Sequence, residues 1–280
     1  MPTSFAAAGL TLANERRDFP EWHLGRPRYA LWALDVDVAP VRQRVQAAQR
    51  HLAEFLLDGY QRQPHITLSL CGFPSDTPRH ADDFGLDALR AQLDALRQAR
   101  LEPFEIEIGA LDSFTSAPYL TVGDAGGHIA ALRRCLTGEA GGEPGFTYTP
   151  HVTVGLYADA WPTAAVQARL DSFACAAPLR LRVTGVSLMA YAAGEIGGPL
   201  ERMADYDFGS MMWITKNDVT GEIILKPKDE DRRQRNLQKL FKMIEDAPFT
   251  EDFIPERAIA APRNPFEEWA EPLPAPGSQP

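Results

Sequence analysis

The chain has 280 residues, of which 45% are hydrophobic, and a formal net charge of −10. This apolar fraction is sufficient for a packed core, and the negative charge disfavours a broad, nonspecific grip on a nucleic-acid backbone. No apolar run approaches the roughly 20 residues of a membrane span, the first residues lack a secretory pattern, and the three cysteines lack metal-ligand spacing. We therefore expect a cytoplasmic protein with reduced thiols and with no metal, organic cofactor or membrane association.

Strand and helix patterns alternate along the first two hundred residues. The patterns predict strands over residues 29–38, 65–71, 104–108, 119–122, 149–157, 179–188 and 199–206. They predict helices over 41–57, 87–99 and 129–136, a further helix opened by Pro162, and a turn over 110–117. Leucines form one apolar face of the second helix: Leu89, Leu93 and Leu96. Because strands and helices follow a similar order in both halves, we expect two related α+β lobes.

Two of the predicted strands contain similar heptapeptides. Residues 64–70 read PHITLSL, and residues 150–156 read PHVTVGL. Successive side chains on a strand point to opposite faces, so the His and Thr of each His-x-Thr motif share a face. His65 with Thr67, and His151 with Thr153, therefore form two pairs that could line one cleft.

Two imidazoles and two hydroxyls suit the cleavage of a phosphodiester. One imidazole can take a proton from the nucleophile, and the other can give a proton to the leaving oxygen. The hydroxyls can donate hydrogen bonds to the non-bridging phosphate oxygens. This chemistry requires neither a metal nor a covalent nucleophile. One His-x-Thr string is common on the solvent face of a strand, but two copies in similar contexts favour a functional site.

These motifs resemble those of the 2H phosphoesterase superfamily, which contains the 2′-5′ RNA ligase-like (LigT-like) proteins and the RNA 2′,3′-cyclic phosphodiesterases. The resemblance covers roughly residues 28–208. It implies two pseudo-symmetric lobes that each contribute one motif strand to a central cleft, with catalytic residues His65, Thr67, His151 and Thr153. It also implies a metal-independent phosphodiesterase for 2′,3′-cyclic phosphate or 2′-5′ linked RNA or nucleotide substrates, and favours His151 as base and His65 as acid.

Other polar and aromatic residues are weaker candidates. The period of two places Ser69 on the face of Thr67. Arg62 and Arg202 could counter a phosphate, although exposed arginines are the norm. Aromatic side chains in or beside the strands could stack on a base, with packing as the default: Phe114, Tyr119, Tyr148, Tyr157 and Tyr191.

The C-terminal part differs in composition. The first 211 residues contain eighteen arginines and no lysine, whereas the remainder contains five of each. We therefore divide the chain into a domain at 1–210 and a segment at 211–280, with 208–212 as a short linker. The segment is predicted to form a hairpin from 213–215 and 222–226, a helix over 232–244, and an extended or disordered tail rich in proline and acidic residues.

Short motifs in this segment resemble the C-terminal half of AbrB/VapB-type antitoxins. They are residues 221–227 (GEIILKP), 251–257 (EDFIPER) and 263–266 (RNPF). The resemblance implies that residues 212–280 wrap a PIN-domain ribonuclease toxin. The alternative function is therefore a toxin-neutralising binding protein in which the first domain is inactive or accessory.

Overall fold

The computed structural model of the protein describes residues 5–137, 148–174, 177–210, 212–217 and 221–225, together with Lys242. A short 3-10 helix at Phe5–Ala8 and a one-turn helix, α1, at Pro20–His23 come first. The elements that follow are β1 (Arg28–Asp35), α2 (Ala39–His51), β2 (His65–Pro74), β3 (Asp83–Phe84), α3 (Leu86–Ala99), β4 (Phe104–Ser113), β5 (Pro118–Gly123), α4 (His128–Thr137), β6 (His151–Thr153), α5 (Thr163–Asp171), β7 (Leu179–Val183), β8 (Gly185–Ala192), β9 (Glu201–Asp207), β10 (Met212–Asn217) and β11 (Gly221–Leu225). No helix in these ranges is long and apolar enough to cross a membrane.

The strands form two sheets. The first has the order β11-β10-β9-β8-β1-β2-β3, and the second has the order β6-β5-β4-β7. Each sheet contains the same local unit, in which a strand and a helix precede a His-x-Thr strand that pairs antiparallel with the first strand. The two units are β1–α2–β2 and β5–α4–β6. The prediction of a two-lobed α+β fold is confirmed.

One hydrophobic cluster is shared by both sheets and by α2, α3 and α4. Ile66 and Leu68 of β2 and Val152 of β6 contribute to it, so both motif strands turn apolar side chains into the same core. The apolar face predicted for α3 is also buried there: Leu89, Leu93 and Leu96. Because the two lobes bury side chains in one cluster, their relative position depends on that shared packing.

Two elements end earlier than predicted, because the chain beyond their ends pairs with a different segment. The helix predicted over 41–57 ends at His51. Beyond it, the chain pairs with the segment after the second motif, where the Leu57 amide donates to the Leu156 carbonyl at 2.8 Å. For the same reason β6 is shorter than the strand predicted over 149–157.

Two further differences concern the second lobe. The turn predicted over 110–117 is wrong in its first half, which continues β4 through a register shift between Ile108 and Leu111. The strand predicted over 179–188 divides at Thr184 into β7 of the second sheet and β8 of the first. The chain therefore crosses between the sheets at this position, which an alternating pattern alone does not reveal.

The hairpin predicted in the C-terminal segment is confirmed as β10 and β11, and β10 pairs with β9 across the predicted boundary at residue 210. Residues 208–210 of the predicted linker form a turn, in which the Asp207 carboxylate accepts two hydrogen bonds from Ser210 at 2.7 Å. The hairpin thus extends the first sheet. The predicted helix over 232–244 (apart from Lys242), the tail and most of the antitoxin-like motifs lie outside the described residues, so toxin binding stays a prediction.

Candidate active site

The two motif strands present their His and Thr side chains on the face opposite the core. On each strand the hydrophobic residue between His and Thr is fully buried in the core. His65 is 7% exposed, while Thr67, His151 and Thr153 are partly exposed. The alternation predicted for both motifs is therefore confirmed, and each lobe offers one imidazole and one hydroxyl together.

Both imidazoles are held in the same way by the backbone. Nδ1 of His65 lies 2.7 Å from the carbonyl oxygen of Gln63, and Nδ1 of His151 lies 2.7 Å from that of Thr149. A carbonyl oxygen can only accept a hydrogen bond, so Nδ1 carries the proton in each ring. In the neutral form the other nitrogen, Nε2, is then the basic one. The two motifs therefore share the same histidine tautomer as well as a similar sequence.

Burial keeps both imidazoles neutral. Loss of solvation, together with smaller contributions from the charges of Arg62 and His151, lowers the pKa of His65 to about 4, against the opposing effect of the hydrogen bond to the Gln63 carbonyl. Burial also lowers the pKa of His151, opposed by the hydrogen bond to Thr149. A buried imidazole without a carboxylate partner favours the uncharged state. The strands β2 and β6, which carry the two rings, are in contact, and the charge of His151 contributes to the lowered pKa of His65.

The motif strands lie at facing edges of the two sheets. β6 is the last strand of the second sheet, and β2 pairs with β3 only at its far end, near Phe73. The Tyr148 hydroxyl donates to the Thr67 carbonyl at 2.8 Å, and Arg133 of α4 donates to the Leu68 carbonyl. The Arg133 guanidinium also lies 3.7 Å from the centre of the Tyr148 ring. These contacts join the second lobe to the backbone of the first motif.

Tyr60 contacts the second motif. Its hydroxyl interacts with the Thr153 side chain, an interaction that lowers the pKa of Tyr60 against the larger effect of burial, which raises it. Tyr60 belongs to the segment that leads into the first motif, so it brings a side chain from that segment to the second. Sequence analysis missed this residue, because no local pattern relates it to Thr153.

Arg62 is a partly buried cation whose charge acts on His65. Its guanidinium lies 4.0 Å from the centre of the Tyr191 ring, and its Nε is buried with no hydrogen-bond partner among the described residues. Arg202 is different, because it pairs with the carboxylates of Asp35 and Asp205. Of the two arginines considered from the sequence, Arg62 therefore contributes the charge that acts on the site, and it is partly buried rather than exposed.

Two aromatic rings flank His151. Phe114 and Tyr119 stack with their centroids 4.2 Å apart, and their centroids lie 4.9 Å and 5.4 Å from that of the imidazole. Phe114 is partly exposed and Tyr119 is buried. The Tyr157 hydroxyl is instead engaged with Ser113 in the protein interior, at 2.5 Å. Packing around the site, rather than an open stacking surface, accounts for most of the aromatic candidates.

Ser69 does not share the face of Thr67. The register between β1 and β2 shifts by one residue, so that Thr67 pairs with Ala33 whereas Ser69 pairs with Trp32. Trp32 belongs to the shared core, and Ser69 is only 6% exposed. The irregularity is a β-bulge, which breaks the strict alternation of side chains. The prediction that Ser69 joins the motif face is therefore wrong.

Within the described ranges, no group of three or more His, Cys, Asp or Glu side chains is placed to hold a metal ion. Cys71 and Cys135 are free and partly buried, while Cys175 lies outside those ranges. Burial raises the pKa of both thiols, which makes them unreactive at neutral pH.

Comparison with known proteins identifies a family. The model of the 2′-5′ RNA ligase superfamily matches residues 37–195, which is more than half of the chain. No curated protein matches the sequence.

Solved structures with similar folds include the Thermus thermophilus protein TT0787, at 17% identity, 64% coverage of this chain, 97% of that one and a TM-score of 0.43. They also include Escherichia coli LigT complexed with 3′-AMP, at 16% identity, 65% and 98% coverage and a TM-score of 0.43. A structure described as a phosphoesterase has 15% identity, 65% and 98% coverage and a TM-score of 0.42.

Proposed function

Because this chain belongs to the 2′-5′ RNA ligase superfamily, we propose that it is a metal-independent phosphodiesterase acting on 2′,3′-cyclic phosphate or 2′-5′ linked RNA or nucleotide substrates. One observation carries the proposal. His65 and His151 hold the same tautomer through the same backbone contact, which leaves one basic Nε2 on each of the two strands that also carry Thr67 and Thr153. A structural role for these side chains requires no such repetition.

The reaction needs one neutral and one protonated imidazole. The neutral Nε2 takes a proton from water as the water oxygen forms its bond to phosphorus. The bond from phosphorus to the ribose oxygen breaks, and the protonated imidazole gives its Nε2 proton to that oxygen. A cyclic phosphate thereby opens to a phosphomonoester and a free hydroxyl. Thr67 and Thr153 donate hydrogen bonds to the non-bridging oxygens, where negative charge collects in the transition state.

The surroundings of the two histidines favour distinct roles. Arg62 and the second imidazole disfavour a charge on His65 in addition to burial, whereas burial is what disfavours the charge on His151. A general base must be neutral when water attacks, so this asymmetry supports His65 as the base and His151 as the acid. The assignment reverses the one implied by family resemblance. The phosphodiester anion supplies the charge that stabilises the imidazolium of His151.

The direct test is hydrolysis of a substrate panel by the full-length protein in EDTA. The panel contains RNA ending in a 2′,3′-cyclic phosphate, a 2′-5′ linked dinucleotide and its 3′-5′ isomer. We expect turnover of the first or the second substrate and no change when Mg²⁺ or Mn²⁺ is added. The same preparation carrying both His65→Ala and His151→Ala measures contaminating activity. Absence of turnover on all three substrates, or activity only with added metal, would contradict the proposal.

The pH dependence of kcat/KM follows from the pKa values of the free protein. His65 becomes an active base as the pH rises through about 4, and His151 ceases to be an active acid above its own pKa, which burial holds below 6.5. We therefore expect a bell-shaped profile with its maximum on the acidic side of neutrality. The profile of kcat lies at higher pH, because the bound anion raises both pKa values. A kcat/KM that stays constant from pH 4 to pH 7 would overturn this assignment.

A further inference from the structure

The segment from residue 55 to residue 63, here called the bridging segment, contacts both motifs. At its beginning, the Ala158 amide donates to the Phe55 carbonyl at 2.9 Å, and Leu56 forms an isolated β-bridge with Tyr157. These partners directly follow the second motif. In the middle of the segment, Tyr60 contacts Thr153 of that motif. The first part of the bridging segment is thus attached to the second lobe through Phe55, Leu56 and Tyr60.

The end of the bridging segment is attached to the first lobe. The Gln61 amide donates to the Gly197 carbonyl at 2.8 Å. The Gln63 side chain makes two hydrogen bonds to the backbone of Leu200, donating to its carbonyl at 3.0 Å and accepting from its amide at 2.8 Å. Leu200 immediately precedes β9, so Gln63 anchors the segment to the rim of the first sheet.

The Gln63 backbone holds the first histidine. Its carbonyl oxygen accepts the Nδ1 proton of His65 at 2.7 Å, and that bond sets the tautomer of the ring. One residue therefore uses its side chain to fix its position on Leu200 and its carbonyl to orient the imidazole. The side chain is partly buried, so the two amide hydrogen bonds have limited competition from water.

We propose that the bridging segment is a positioning element for the reaction and that Gln63 is its positioning residue, which locks His65 in the Nδ1–H tautomer and sets its place relative to the second motif. The inference rests on the proposed function for its catalytic consequence. Gln63 touches neither substrate nor the reacting atoms. Its effect passes through the imidazole, whose Nε2 must face the phosphate to exchange a proton.

The tautomer of His65 tests the proposal without any assay of activity. In ¹⁵N-labelled full-length protein near neutral pH, the protonated and bare ring nitrogens of each neutral histidine have distinct signals, and comparison with His65→Gln assigns those of His65. We expect Gln63→Leu to shift His65 toward a mixture of tautomers. His151, held by Thr149, should keep its signals and serves as the internal control. Gln61→Leu is the matched variant, because Gln61 is exposed and bonds Gly197 through its backbone.

The kinetic consequence is separable from a loss of folding. In Gln63→Leu we expect kcat to fall by about 10- to 100-fold with little change in KM, the range found when a histidine loses an orienting partner. Gln63→Glu keeps the acceptor for the Leu200 amide and should retain part of the activity and of the native tautomer. It also replaces the leucine variant if the latter does not fold. Gln61→Leu should match the wild type in both measurements.

Two results would overturn the positioning role. One is a His65 that keeps its Nδ1–H signals in Gln63→Leu and Gln63→Glu. The other is a shifted His65 tautomer with unchanged kcat, which would show that the tautomer fixed by Gln63 has no catalytic importance. If the wild type hydrolyses no phosphodiester, the proposed function fails, and the tautomer comparison still decides whether Gln63 orients His65.

Discussion

His65→Ala and His151→Ala are each expected to lower kcat for the phosphodiester substrate by about 10²–10⁴-fold, the contribution typical of a positioned acid or base. The cause is the loss of one proton transfer, since each ring presents a single basic nitrogen to the site. Steady-state kinetics at the pH optimum measure the effect. His80→Ala is the matched control, because His80 is exposed and lies outside both motifs; it should retain wild-type kcat.

The two histidines act in one step, so their losses should not add. We expect the double variant to lose little more than the worse single variant. Thr67→Val and Thr153→Val should each lower kcat by about fivefold, because a neutral hydroxyl donor contributes about 1 kcal/mol. If both single histidine variants retain wild-type turnover, the assignment of the active site is wrong.

The second large effect separates the acid from the base. A p-nitrophenolate leaving group departs without protonation, so a nucleotide p-nitrophenyl phosphodiester does not require the general acid. With this substrate, His151→Ala should regain most of the roughly 10²–10⁴-fold that it loses on a ribose leaving group. His65→Ala should stay impaired on both substrates, because water must still be deprotonated.

Both variants are measured on both substrates, so the comparison is internally controlled. For each variant, the ratio of kcat on the two substrates does not depend on the fraction of the protein that is folded. Selective recovery of His65→Ala would restore the assignment implied by family resemblance, with His151 as base. Equal impairment of both variants on the activated substrate would mean that neither histidine protonates the leaving oxygen.

Arg62→Met should raise the pH at which the base limb of the kcat/KM profile appears. The substitution removes a cation that disfavours a charge on His65, so the pKa of that imidazole rises.

Local periodicity was sufficient for much of the fold and for the composition of the site. Each His-x-Thr pair shares a face because strand side chains alternate, and the apolar residue between them enters the core. The apolar face of α3 follows equally from the helical repeat. These features depend on residues within one element, so the sequence of that element determines them.

The fine geometry of the site depends on contacts between distant residues. The bulge that turns Ser69 toward Trp32 arises from pairing with β1, and no feature of the serine itself predicts it. The partial burial of Arg62 involves the Tyr191 ring, more than a hundred residues away in sequence. Only the tertiary structure decides which imidazole is the harder to protonate, because solvation and nearby charge depend on how the lobes pack.

By itself, therefore, the sequence determined which residues carry the proposed chemistry, since repetition of a motif and its period are properties of the chain order. The tertiary structure decided how those residues are held. The hydrogen bonds that link Gln63 to Leu200 span 137 positions, and Leu200 is placed there by the pairing of β9 with β8 in the first sheet. Hydrogen bonds of this range have no periodic signature, because they form between elements that meet only when the whole core has packed.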